Sequence, residues 1–268
     1  MHPIAFQLGG LAIHWYGIMV ALGFLVALWT ASGRGPLDGF TPDQILDLGP
    51  WLIVGGIAGG RTLYVITFWR EQFAEKPFPE IFMIQHGGLV FYGGFIGGAL
   101  AVLIYARLKN LQLWKLADAI APSIALGYAF GRVGCLLNGC CYGRACSLPW
   151  AIRFPAGHET HPVGTPGIPV HPTELYESLL GLCLYTGLAW LYRRKKFDGQ
   201  IFAAYLMIYP ILRSFVEMFR GDYPPNQHFL GGWATPAQLV SIGILVSGIC
   251  LFFLLPRPTP ASGSGVKP

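Results

Sequence analysis

Seven apolar stretches separated by short polar segments set the pattern of the chain: Leu11–Thr30, Ile45–Phe68, Gly87–Tyr105, Ala117–Leu137, Leu175–Tyr192, Ile201–Phe219 and Pro236–Leu255. Each is close to the roughly 20 residues that an α-helix needs to cross a bilayer core. The pattern predicts an all-α, polytopic membrane protein of about seven transmembrane helices, with residues 1–255 as one helical domain. Glycines recur in pairs at four-residue spacing, Gly55-Gly56 with Gly59-Gly60 and Gly93-Gly94 with Gly97-Gly98. Small residues at that spacing let helix backbones approach, so packing is the expected role. Residues 138–171 hold a loop whose later part, Ser147–Val170, is rich in Pro and Gly and is predicted to be irregular. The Pro/Ser/Gly-rich tail 256–268 is predicted to be disordered.

Composition agrees with this reading. Hydrophobic residues make up 53% of the chain and charged residues 12%, about half the soluble-protein norm of roughly 25%. The first apolar run lacks a basic flank before it and a small-residue cleavage site after it, so a retained helix is expected and not a signal peptide. Lys and Arg gather after the first, third, fifth and seventh runs: Arg34; Arg107, Lys109 and Lys115; Arg193, Arg194, Lys195 and Lys196; Arg257 and Lys267. The positive-inside rule then puts the N-terminus outside, the C-terminus in the cytoplasm and the 138–171 loop on the outer side. The net charge of +5 is spread over loops and is no nucleic-acid footprint.

Charged residues inside the apolar runs are the first chemical signal. Arg61, Asp118, Arg132, Arg213 and Glu217 lie there, where insertion costs about 2.5–3.5 kcal/mol each and function is the usual reason for retention. Tyr209, Arg213 and Glu217 follow at i, i+4 and i+8 with Arg220 three further, which predicts one shared helix face. An Arg213–Glu217 pair would neutralise itself but leaves Arg61 and Arg132 unexplained. Several arginines against few acids point to an anionic guest, and the guanidinium fork matches phosphate oxygens.

The stretch Gly131–Arg144 joins the end of the fourth run to a polar loop and carries Arg132, Asn138, Cys135, Cys140 and Cys141, with Cys146 just beyond. The thiol spacing does not fit the paired C-x2–4-C units of a zinc ribbon. A metal shared with His158, His161 or His171 is conceivable from composition, but no metal or cofactor is expected. On the outer side, a disulfide tying the loop is the favoured structural role. Cys183 and Cys250 are read as small apolar residues.

These pieces, in order, resemble the bacterial prolipoprotein diacylglyceryl transferase family over nearly the whole chain. They are His14-Trp15-Tyr16-Gly17; Gly60-Arg61 with Tyr64; Gly131-Arg132-x-Gly134-x-x-x-Asn138-Gly139-x-x-x-Gly143-Arg144; His171-Pro172-x-x-Leu175-Tyr176-Glu177; and Tyr209 with Arg213-x-x-x-Glu217-x-x-Arg220. The resemblance implies a multi-pass enzyme of the bacterial plasma (inner) membrane. It would move the diacylglyceryl group of phosphatidylglycerol to the lipobox cysteine thiol of a prolipoprotein signal peptide. By the same resemblance Arg132, Arg213, Glu217, Tyr16 and Tyr92 are expected catalytic residues, and Arg61, Asn138, Gly143, His171, Tyr209 and Arg220 are expected to bind substrate.

The chain departs from the family frame at three polar positions. Tyr92 stands where the family usually has His, Cys135 where it has Asn, and Cys140 where it has Glu. His86 lies six residues before Tyr92, nearly two helical turns away, and is no obvious replacement. A phenol is a poor base near neutral pH, so an arginine field is the expected source of thiolate stabilisation. Two other classes remain open on sequence. One is a related enzyme using Cys135, Cys140 or Cys141 as nucleophile or redox pair. The other is an anion or lipid transporter, although the chain shows no inverted repeat.

Overall fold

In the computed structural model the described residues are 3–9, 11–74, 77–84, 87–154, 167–221 and 235–256. His86, His158, His161, Arg257, Lys267 and the predicted tail lie outside them, apart from Pro256. The described chain is mostly helical. Each predicted apolar run coincides over most of its length with a helix of 18 residues or more: α1 (Trp15–Arg34), α3 (Leu48–Thr67), α4 (Phe91–Leu108), α5 (Leu113–Asn138), α6 (Thr173–Tyr192), α7 (Gln200–Glu217) and α8 (Pro236–Leu254), with a short α2 (Pro42–Leu46) before α3. By length and composition, four stretches could cross a membrane: Trp15–Asp38, Phe91–Leu108, Leu113–Asn138 and Pro236–Leu254.

The structure corrects the first predicted span. Leu11–His14 is not helical; it forms strand β2, paired antiparallel with β1 (Ile4–Leu8) in a two-stranded hairpin. Gly9 takes φ +61°, the left-handed conformation that tight hairpin turns demand. Hydropathy alone does not distinguish a four-residue strand, three of its residues apolar, from the first turn of the helix that follows.

The residues fall into two compact units, Met1–Ala31 with Ala117–Pro268, and Ser32–Leu116. Within the second, α3 and α4 meet backbone to backbone. An added Cβ on Gly59 would collide with the Gly93 carbonyl oxygen, and one on Gly55 would lie 2.7 Å from both the Ala101 Cβ and the Gly97 carbonyl oxygen. Packing is therefore the role of these glycines, as small residues at four-residue spacing lead one to expect. The pair borders an apolar groove of about 760 Å³ lined by Trp51, Val54, Leu63, Ile96 and Leu100 among others.

In the first unit the core joins α5, α6 and α7 through Ala121, Ala125, Leu184, Leu188, Ile201 and Ala204. Asp118 fixes the start of α7. Its carboxylate accepts from the backbone N–H of Gly199 (2.9 Å), Ile201 (2.9 Å) and Phe202 (3.0 Å), and from Lys195 Nζ at 3.3 Å. The orphan donors of a helix N-terminus thus find their acceptor one helix away. This acid within an apolar run is a cap.

Candidate active site

The site is assembled in the first unit where α5 ends, α6 begins and α7 ends. Helix α5 carries Arg132 and stops at Asn138. Gly139, at φ +79°, closes it with its N–H on the Cys135 carbonyl at 2.9 Å, the usual left-handed helix stop. The loop beyond then runs beside two other segments. Gly143 N–H donates to the His171 carbonyl (2.9 Å), Arg144 N–H to the Phe219 carbonyl (2.8 Å), and His171 N–H to the Arg144 carbonyl (3.0 Å). Arg144 Nε adds a bond to the Arg220 carbonyl at 3.0 Å. A methyl group on Gly143 would lie 2.5 Å from the His171 Cβ and 2.7 Å from the Phe219 carbonyl oxygen. Glycine is required there by the closeness of three backbones.

The predicted face of four residues on one helix is only partly realised. Helix α7 ends at Glu217, and i→i+3 bonds tighten the chain through Met218, Phe219 and Arg220. Arg220 therefore sits beyond the helix, in a bridge with Gly143, because its backbone is needed to pair with the loop. Its Nε still lies 4.0 Å from Glu217.

The arginines are joined by an acid of the His171–Glu177 motif that the sequence alone does not bring into the site. Glu177, on the second turn of α6 and 3% exposed, holds Arg132 Nε on one oxygen at 2.5 Å and Arg213 Nη1 on the other at 2.8 Å. Arg213 Nη1 also meets Glu217 at 2.5 Å, and Glu217 accepts from Thr235 Oγ1 at 2.8 Å. The expected Arg213–Glu217 pair is present, but it is one link of a chain running Arg132–Glu177–Arg213–Glu217. Arginines do not outnumber acids in that chain, which corrects the expectation of few acids. The aromatic wall beside it is Tyr128, 4.9 Å below the Arg132 guanidinium, with Tyr209 edge-on to it at 5.3 Å.

Tyr16, at the start of α1 and half-exposed, packs over Gly134. A Cβ there would lie 3.2 Å from its ring. It is within electrostatic range of Arg132, Cys135, Cys140 and Cys141. The Cys140 thiol points at the Cys135 carbonyl oxygen, 3.7 Å away, and Asn138 is within electrostatic range of it. His171 stacks on Phe219 at 5.2 Å and faces the Tyr176 hydroxyl at 3.3 Å. The expected disulfide is absent: all six cysteines are free thiols. Cys135, Cys140 and Cys141 instead bring their sulfur atoms within 4.8 Å of one another, and Cys146 is not among them because its segment runs along Pro169 and Val170.

Arg61 and Tyr92 belong to the other unit. Arg61 is 7% exposed, and its guanidinium donates to four backbone carbonyls: Ile81 (2.7 Å), Glu80 (2.8 Å), Gly87 (2.7 Å) and Gly88 (3.2 Å). Tyr92 is 53% exposed in the first turn of α4, edge-on to Phe91.

Residues 3–254 match the family model described as prolipoprotein diacylglyceryl transferase. Relatives named phosphatidylglycerol–prolipoprotein diacylglyceryl transferase include those of Clostridium tetani, 36% identical over 94% of this chain and 97% of the relative, and Finegoldia magna, 37% identical over 94% of each. That of Nitratidesulfovibrio vulgaris is 33% identical over 99% of this chain and 97% of the relative.

Proposed function

Since the chain belongs to the prolipoprotein diacylglyceryl transferase family, we propose that it transfers the diacylglyceryl group of phosphatidylglycerol to the lipobox cysteine of a prolipoprotein, the first step of lipoprotein maturation. The thiolate sulfur attacks the glyceryl carbon that bears the phosphate. The C–O bond breaks, a thioether forms and glycerol phosphate leaves. The observation that carries this reading is the half-buried pair Arg132 and Arg213, brought from two helices onto opposite oxygens of the buried Glu177. Among the described residues their contacts to acids use Nε of Arg132 and Nη1 of Arg213. The outer edges of both guanidiniums are then the groups to receive phosphate oxygens. Charge developing on the leaving group is stabilised best by such preorganised donors in a water-poor site.

Around this pair, Glu177 and Glu217 orient the arginines, and Tyr16 and Asn138 donate hydrogen bonds at the mouth. Tyr209 and His171 shape the wall, and Arg220 supplies a third cation. Gly143 holds the loop close enough for these groups to meet. Arg61 is assigned to securing the segment before α4. The finer topology belongs to the same proposal: seven spans in the bacterial plasma membrane, N-terminus outside, C-terminus cytoplasmic, and the 138–171 loop on the outer side where secreted precursors arrive. The partners are phosphatidylglycerol and a signal peptide carrying a lipobox cysteine.

The test is lipidation of a lipobox peptide by the purified protein supplied with phosphatidylglycerol. Arg132→Ala is expected to abolish transfer while the protein remains inserted and folded. Wild-type turnover by that variant would refute the assignment.

A further inference from the structure

Three free thiols converge at the end of α5. The sulfur atoms of Cys135, Cys140 and Cys141 lie within 4.8 Å of one another, and all three residues are half-buried. A tetrahedral zinc ion with Zn–S bonds of about 2.3 Å holds its sulfur atoms about 3.8 Å apart. The present separations exceed that by no more than about 1 Å. The sequence hides this arrangement because the spacing is not that of a zinc ribbon; two left-handed residues create it. Gly139 (φ +79°) and Cys141 (φ +72°) fold residues 140 and 141 back toward Cys135. A non-glycine residue in that conformation persists only where its surroundings hold it. Here the Cys140 N–H bonds the Cys135 carbonyl at 3.2 Å, and Thr173 Oγ1 bonds the Cys141 carbonyl at 2.8 Å.

A second, independent observation comes from α6. Glu174 is fully buried, and neither of its carboxylate oxygens has a hydrogen-bond partner among the described residues. It lies in electrostatic range of Cys140 and Cys141. A buried polar group without a partner is costly, and a water on a metal ion held by the thiolates would supply one.

We propose that Cys135, Cys140 and Cys141 bind a zinc ion through three thiolates, and that its fourth position takes the thiol of the incoming peptide as thiolate. Three protein ligands and one exchangeable position are the pattern of catalytic zinc, and a thiol on zinc is deprotonated. The cluster stands beside the proposed phosphate-binding arginine: Arg132 precedes Cys135 by three residues on α5, and Tyr16 is in range of both. The proposal rests on the transferase reading for its substrate. On coordination the peptide S–H loses its proton to water. Its sulfur then forms the bond to the glyceryl carbon, and the C–O electron pair leaves with glycerol phosphate, which takes up a proton as a monoester. No oxidant or reductant is needed.

The experiment uses the full-length protein in detergent, stripped by a chelator and titrated with Co²⁺ as a spectroscopic stand-in for zinc. One equivalent is expected to give sulfur-to-cobalt charge-transfer absorption and the visible bands of tetrahedral cobalt. A lipobox peptide should shift those bands and its Cys→Ser version should not. Stripped protein should lose transfer at least tenfold and regain it with zinc. Cys140→Ser and Cys141→Ser should lose metal and transfer together, while Cys146→Ser keeps both. Because stripping and reloading use the unaltered chain, misfolding of a variant does not bear on that result. Full transfer by metal-free protein would overturn the proposal and leave the transferase reading intact. So would a disulfide or an acyl adduct on these thiols in the active protein. Stoichiometric cobalt binding with a peptide-dependent shift, but no transfer from phosphatidylglycerol, would support the metal site and defeat the transferase reading.

Discussion

Glu177→Gln removes one charge from the middle of the arginine chain while keeping the shape of the side chain. In the native protein both carboxylate oxygens are engaged, at 2.5 Å to Arg132 and 2.8 Å to Arg213. The amide retains one oxygen as acceptor, so at least one charge-assisted bond is lost, worth about 1.5–3 kcal/mol. Two guanidiniums that shared a counter-ion are then left facing each other. Breaking a buried pair by removing one partner costs about 3–5 kcal/mol, and because Glu217 still holds Arg213 the lower figure, about 3 kcal/mol, applies. Thermal unfolding in detergent should therefore shift down by about 6–12 °C, at 2–4 °C per kcal/mol for a chain of this size. Kinetics should move differently. The freed guanidiniums attract an anionic headgroup at least as well, so KM for phosphatidylglycerol should not rise. Misplacing them by about 1 Å should lower kcat by about 100-fold. A variant with native kcat and an unfolding temperature within about 1 °C of the parent would show that Glu177 neither orients nor counterbalances the arginines, and the mechanism would have to be rebuilt without it.

Three other substitutions separate architecture from chemistry. Asp118→Asn should cost about 3 kcal/mol through loss of the α7 cap, lowering thermal stability while turnover per folded molecule stays within twofold; a selective fall in kcat would give Asp118 a role in the reaction. Gly143→Ala forces apart the loop, His171 and Phe219, and should reduce transfer more than tenfold with a rise in protease sensitivity at the loop, checked by limited proteolysis alongside the lipidation assay. Tyr92→Phe should leave transfer within about threefold, since a phenol is a poor base at neutral pH; a loss beyond 100-fold would make its hydroxyl indispensable.

Hydropathy located the long helices well, because a bilayer-length apolar run has few alternatives to helix. It failed at Leu11–His14, where four residues joined a hairpin; helical spacing failed at Arg220, whose backbone was drawn into a bridge with Gly143. Both depend on backbone pairing, across a tight turn in the first case and with a residue far along the chain in the second. Charges in apolar runs were correctly singled out as exceptional, but not all for one reason. Arg132 and Arg213 enter the cluster around Glu177, whereas Asp118 serves backbone N–H groups and Arg61 serves backbone carbonyls. Unsatisfied backbone at a helix end or chain reversal creates the same demand for a buried charge as a ligand does, and a sequence gives no sign of which demand is being met. Glu177 escaped notice as a site residue since nothing in its own segment reveals that two arginines from other helices converge on it. The cysteines show the converse. Their place in an outward loop suggested a disulfide, but the two left-handed residues that cluster three of them can be seen only in the backbone.

The bridging position of Glu177 also bears on how the enzyme lives among its substrates. A membrane lipid is both reactant and solvent here, present around the protein at all times, so tight ground-state capture would bring no gain in rate. In the mechanism proposed above, an internal carboxylate lying between the two arginines makes every arriving headgroup compete for the same guanidiniums. Resting lipids with a single delocalised charge meet that competition at a disadvantage and exchange freely. The departing phosphate, as it gathers a second charge, overcomes it. Selectivity for the reacting state over the surrounding crowd then follows from an occupant that belongs to the protein itself.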